Sequence, residues 1–134
     1  MTAVDTNVVV RLLTGDDPAQ EAAARALFES GPIWIAKTVL LEATRVLRSL
    51  YRFDDRAILT AVTNLLGLDN VSAEDKPSIG AALALMAQGI DFADALHLAS
   101  RPPGAAFVSF DKSLVRRAAR AGVSAISAVG SSLR

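Results

Sequence analysis

Four carboxylates carry the chemistry this sequence could perform: Asp5, Glu42, Asp94 and Asp111. Asp5 closes a short apolar run, Ala3-Val4, and is followed at once by Thr6 and Asn7. Asp111 closes a second run, Phe107-Val108-Ser109-Phe110, which reads as a buried strand. In open α/β sheets ligands bind outside the carboxyl ends of the strands, so both residues point at the edge where such folds work. Each also has a plain structural explanation, because Asp, Ser and Thr are the usual helix N-caps. At the first junction Thr6 is expected to take the capping role, which leaves the carboxylate of Asp5 free.

The other two lie on predicted helices. At about 100° per residue, the apolar arc of the helix from Thr38 holds Val39, Leu40, Ala43, Val46, Leu47 and Leu50, and Glu42 falls about 40° beyond Val46. An i,i+3 ion pair with Arg45 would account for it in isolation. On the helix from Asp91 the arc holds Phe92, Ala95, Leu96, Leu98 and Ala99, with Asp94 about 40° from Leu98. Asp91 is the expected N-cap, and a first-turn dipole benefit is the plain reading of Asp94.

If the four carboxylates converge, each pair at about 4 Å repels by about 4 kcal/mol at an effective dielectric near 20. Such a cluster needs protons or a cation. Its donors are all oxygen, which suits Mg²⁺ or Mn²⁺ and not zinc, because the chain has no Cys and a single His, His97, on the polar side of its helix. A hard divalent ion held by carboxylates generates hydroxide and stabilises in-line displacement at phosphate. That is nuclease or phosphatase chemistry.

The elements that must position these groups are legible in outline. A short buried strand over Met1–Val4 leads to a helix over Thr6–Leu13 that ends near Thr14-Gly15. Asp17-Pro18-Ala19-Gln20 starts a second helix, with Asp as N-cap and Pro at the first helical position, and it runs to Ser30. Ile33–Ile35 is a strand, and Thr38 caps a helix reaching about Arg52. Asp54 starts another, to Leu66. Asn70–Ser72 reads as a strand, Glu74–Gln88 and Asp91–Arg101 as helices, and Ala105–Phe110 as a strand. A basic helix over Lys112–Ala121 and a strand over Ser124–Ile126 complete the series. Short apolar strands separated by helices indicate an α/β fold: a central, mainly parallel sheet of four to five short strands between two helical layers.

The chain has 134 residues, 51% of them hydrophobic, which suits one domain over 1–134 with a full core. Without cysteine, disulfide frameworks and thiolate chemistry are excluded. No apolar leader or membrane-length run is evident, so a cytoplasmic protein with no membrane association is expected. Net charge is zero but unevenly spread. Residues 1–100 hold 8 Lys+Arg against 13 Asp+Glu, while residues 101–134 hold 6 against 1. Such asymmetry marks either a surface facing a polyanion or one solvated basic helix.

The run Val4-Asp5-Thr6-Asn7-Val8 with Arg11, the mid-chain Glu42, Asp91-Phe92-Ala93-Asp94-Ala95-Leu96-His97 and Val108-Ser109-Phe110-Asp111 together resemble PIN-domain proteins. The pattern most resembles the VapC-type toxins of bacterial toxin–antitoxin pairs, and the likeness covers essentially the whole chain. The resemblance implies a three-layer α/β/α sandwich and a Mg²⁺- or Mn²⁺-dependent endoribonuclease. Its acidic residues match Asp5, Glu42, Asp94 and Asp111, with Asp5 and Asp94 as the firmest metal ligands, Glu42 holding or orienting metal and water, and Asp111 completing the site. Asn7 matches a polar neighbour expected to hydrogen-bond the first Asp. Ser109 stands where many relatives have Thr and keeps the hydroxyl, and Thr6 and Asp91 support the site. A homodimer and a cognate antitoxin are implied as well. RNA phosphates are expected along Lys112, Arg116, Arg117 and Arg120, with Arg11 a further candidate.

Three other readings compete. A PIN-fold nuclease could process RNA outside any toxin–antitoxin pair. A non-catalytic PIN module that binds RNA or protein would be expected to have lost acidic positions, and all four are present. Aspartyl phosphoryl transfer calls for a second Asp where Asn7 stands, or for a late-strand Lys that Ser109-Phe110-Asp111 does not supply.

Overall fold

Most helix start and stop signals hold in the computed structural model, which describes residues 1–130. The chain forms two compact units, Met1–Lys76 and a second beginning at Pro77.

The first unit runs β1 (Thr2–Ala3), α1 (Thr6–Thr14), α2 (Pro18–Glu29), β2 (Ile33–Ile35), α3 (Lys37–Ser49), α4 (Asp55–Leu66) and β3 (Val71–Ala73). Its strands pair in parallel in the order β1-β2-β3, with Thr2 opposite Ile33 and Ile33 opposite Val71. Asp17 caps α2 by accepting from the Gln20 N–H, with Pro18 in the first turn, and Asp54 caps α4 through Ala57. Helix α1 ends at Gly15, whose φ of 66° is left-handed. That conformation favours glycine, whereas a Cβ there would only displace the end of the Glu21 side chain. Helix α1 packs on α2 and α3, and α3 on α4. The inner face of α3 is buried at Leu40, Ala43 and Leu47, which orients the residues on its other faces.

Three local expectations in this unit fail for non-local reasons. Only Val4 of the predicted first strand is buried, β1 lying at one end of the β1-β2-β3 sheet. Thr38 does not cap α3. The cap position is Ala36, and the acceptor comes from 37 residues away: Glu74 Oε1 takes the Lys37 N–H at 3.0 Å, while Lys37 Nζ pairs with Asp75 at 3.0 Å. With Glu74 and Asp75 so engaged, and Asp75 at φ 52°, the next helix starts at Lys76 rather than at Glu74.

The second unit holds α5 (Lys76–Ala87, beginning at the boundary), α6 (Phe92–Ala99), β4 (Phe107–Ser109), α7 (Lys112–Arg120) and β5 (Ile126–Ala128). Strands β4 and β5 pair in parallel, Phe107 opposite Ile126, and α7 packs on both. The last strand lies two residues later than predicted. Arg101 explains the shift: its guanidinium donates to the carbonyls of Ala105, Ser124 and Ala125, with Ala125 at φ 57°. Strand β4 is not the buried strand its apolar residues suggested, since Val108 is 52% exposed and Phe110, just past the strand, 84%. No helix among the described residues is long and apolar enough to cross a membrane.

Candidate active site

Asp5 follows β1 and opens α1, and it is Asp5 that caps the helix. Its Oδ1 accepts the Val8 N–H at 3.1 Å, in extended backbone at φ −93° and ψ 178°. The expected division of labour is therefore reversed. Thr6 does not cap; its hydroxyl donates to Glu42 Oε1 on α3. The physical reason is reach: one Asp5 oxygen closes the first turn locally and its second stays available, while the packing of α1 on α3 brings Glu42 to the threonine. Arg45 forms no ion pair with Glu42 among the described residues. Asp5, Thr6, Asn7, Glu42 and Val46 line one hollow of about 260 Å³. Asn7 shares this lining, but its amide does not hydrogen-bond Asp5, contrary to expectation.

Arg11 is the centre of an internal network. Its Nε donates to Gln20 at 2.6 Å, and its terminal nitrogen reaches both oxygens of Asp16 at 3.0 Å and the Tyr51 hydroxyl at 2.9 Å. Tyr51 in turn donates to Asp16 at 2.6 Å, and Thr14 to the same carboxylate at 2.9 Å. The network joins α1, the start of α2 and the segment after α3. Nothing local in the sequence announces it, as Asp16 and Tyr51 lie 35 positions apart. The Tyr51 hydroxyl leads the groups that hold the Asp16 carboxyl below its usual value, with Thr14 and Arg11 behind it. A lowered acid contributes stability above its ordinary pKa and loses it as pH falls through the lowered one. Tyr51→Phe should therefore melt modestly below the wild type at pH 7, and the gap should close as pH falls below about 4; parallel thermal melts across pH check this.

In the second unit Asp91 caps α6, accepting from the Ala93 N–H at 3.1 Å. Asp94 sits one turn on and is half-buried. Among the described residues it has neither a hydrogen-bond donor nor an ion-pair partner. Burial pushes its carboxyl above the usual range; the negative charges of Asp91 and Asp111 push the same way, against His97 and Arg117. Asp111 caps α7 through Oδ1 and the Leu114 N–H at 3.0 Å. Ser109 supports it directly, its hydroxyl accepting the Asp111 N–H at 3.0 Å.

On α7, Lys112, Arg116 and Arg120 are exposed at i,i+4 spacing and form one basic stripe. Arg117 is turned away from it: its guanidinium donates to the Gly89 carbonyl at 3.2 Å and is half-buried. His97 is exposed, as anticipated.

The candidate donors are thus two acidic sets, Asp5 with Glu42 in one unit and Asp91, Asp94 and Asp111 in the other. All are hard carboxylate oxygens, and the unsatisfied, half-buried charge of Asp94 is the kind a divalent cation relieves, so their chemistry fits Mg²⁺ or Mn²⁺. Among the described residues no three His, Asp or Glu side chains are already gathered around a single point. Asp5, Asp91 and Asp111 are held as helix N-caps, and Glu42 by the Thr6 hydroxyl.

No curated protein matches the chain. The family model of the PIN domain matches residues 2–121. PIN domains have a three-layer α/β/α fold built on a parallel sheet of short strands, are generally nucleases, and typically use divalent metal ions. A match that reaches from β1 through α7, and takes in all four candidate carboxylates, places this chain in the PIN domain family.

Proposed function

We propose that this protein is a Mg²⁺- or Mn²⁺-dependent endoribonuclease, one domain that acts as the toxin of a toxin–antitoxin pair. Asp5, Glu42, Asp94 and Asp111 are its catalytic and metal-holding residues. The observation that carries the reading is Asp94: a half-buried carboxylate with no donor among the described residues, pressed by two like charges. A folded chain tolerates that arrangement best when a cation compensates it.

The bound ion supplies charge neutralisation at the phosphate and a more acidic water. The chain's own residues do the rest. Asp5 and Asp94 would hold the ion, and Glu42, which accepts from the Thr6 hydroxyl, would orient the attacking water. Asp111 is held by its cap and by Ser109, and Lys112, Arg116 and Arg120 bind phosphates along the strand. The antitoxin and a homodimer belong to the same proposal, as does a cytoplasmic location.

A second reading draws on one observation: no three acidic side chains are gathered to hold a metal among the described residues. On that reading the chain is a PIN module that binds RNA without cutting it. One assay separates the two. The purified chain, given total cellular RNA with Mn²⁺ or Mg²⁺, should produce discrete cuts whose ends can be mapped, and EDTA should abolish them. Intact RNA under every metal condition, with binding retained, would leave the binding module standing. Cutting that persists in EDTA would remove the metal from the mechanism.

A further inference from the structure

Phe110 occupies the turn between β4 and α7 and is 84% exposed, the only exposed large aromatic among the described residues. An aromatic ring ordinarily contributes by burial, so a ring left this open on an ordered turn asks for a ligand. The turn is held from both sides. The Asp111 N–H donates to the Ser109 hydroxyl at 3.0 Å, and Asp111 itself caps α7. Val108, in β4 two residues before Phe110, is itself 52% exposed. Val129, whose N–H bonds the Ser109 carbonyl at 3.0 Å, is 46% exposed. An open apolar platform therefore stands beside a catalytic candidate and at the foot of a basic stripe. That stripe, Lys112 to Arg120, extends about 12 Å at the rise of an α-helix.

A flat apolar surface followed by a row of cations is complementary to a nucleic-acid strand whose bases are free: the ring takes a base, the stripe takes phosphates. We propose that Phe110 is the stacking platform for an unpaired base of the RNA, and so selects single-stranded over duplex substrate. This rests on the ribonuclease reading for its ligand but not on cleavage.

Binding of an uncleavable 2′-O-methyl oligonucleotide in EDTA tests it, with the single strand compared against the same sequence in a duplex. Phe110→Ala should weaken single-strand binding by roughly 5- to 100-fold and leave the salt dependence unchanged, since stacking releases no counterions. Phe110→Trp should keep the affinity, and its fluorescence should be quenched on binding, relative to the wild type with its half-buried Trp34. Lys112→Ala/Arg116→Ala should instead lower the salt slope by about 0.7 for each phosphate that is no longer neutralised. Affinity within twofold of wild type in Phe110→Ala overturns the proposal. So does a change in oligomeric state with RNA binding intact, which would assign the platform to a protein interface. Loss of binding in Phe110→Ala, in a protein that never cuts RNA, would uphold the platform and refute only the nuclease.

Discussion

Asp94→Asn should abolish RNA cleavage and at the same time raise the melting temperature of the metal-free protein at pH 7. The two effects share one cause. Burial, then Asp91 and Asp111, disfavour the ionised Asp94 carboxylate, and no donor among the described residues relieves it. An acid whose folded pKa is raised contributes stability that is complete below its unfolded value, near 3.8, and lost as pH rises through the folded value. Metal-free wild type should accordingly lose stability on going from pH 4 towards neutrality, by more than the variant does. Asn keeps the shape and removes the charge. Each 1 kcal/mol recovered would read as roughly 3–5 °C in a protein of this size. Saturating Mg²⁺ should reverse the order, since binding at about 100 times Kd contributes about 2.7 kcal/mol to a protein that can still bind the ion. Cleavage should fall by at least about 100-fold, as even the outer partners of metal ligands commonly cost 10- to 100-fold. Melts with EDTA and with Mg²⁺, beside a cleavage assay, give all three quantities. A variant that melts below wild type in EDTA, or gains as much from Mg²⁺, would remove Asp94 from the metal site.

The second large effect separates the two jobs of Asp5. Because Oδ1 caps α1 through the Val8 N–H, removal of the side chain should cost stability as well as activity. Asp5→Ala should destabilise by about 1 kcal/mol, the usual cost of a lost N-cap. Asp5→Asn keeps an oxygen for the cap, because Asn caps as well as Asp does, so it should melt close to wild type. Both variants should be inactive. Activity surviving in Asp5→Asn would mean that the carboxylate only caps. Equal melting of Asp5→Ala and wild type would mean that the cap contributes nothing.

Where helix boundaries depend on neighbours along the chain, they were readable. Asp17-Pro18, Asp54 and Gly15 act within four residues of the turn they start or stop, and the structure places them as expected. Where a boundary depends on a partner far along the chain, it was not. Helix α3 is capped by Glu74, and the last strand is displaced by Arg101 reaching Ser124 and Ala125. The solvation of β4 is not legible for a related reason: alternating or continuous apolar residues mark a strand, but the layer that covers them is set by packing.

For the candidate site, the sequence alone determined the kinds of group and their attachment. Four carboxylates sit at strand ends or one turn into helices, with all-oxygen chemistry and a basic stretch that follows the last of them. These follow from residue type and short-range period, which survive any arrangement of the elements. Tertiary structure alone decided the partners. Thr6 bonds Glu42 rather than capping, Asp5 caps while keeping one oxygen, and Arg11 is bound to Asp16, Gln20 and Tyr51. Arg117 leaves the basic stripe for the Gly89 carbonyl, and Phe110 stands open beside Asp111. A hydrogen bond or a desolvated charge depends on distances between groups far apart in the chain, and only the folded backbone sets those distances.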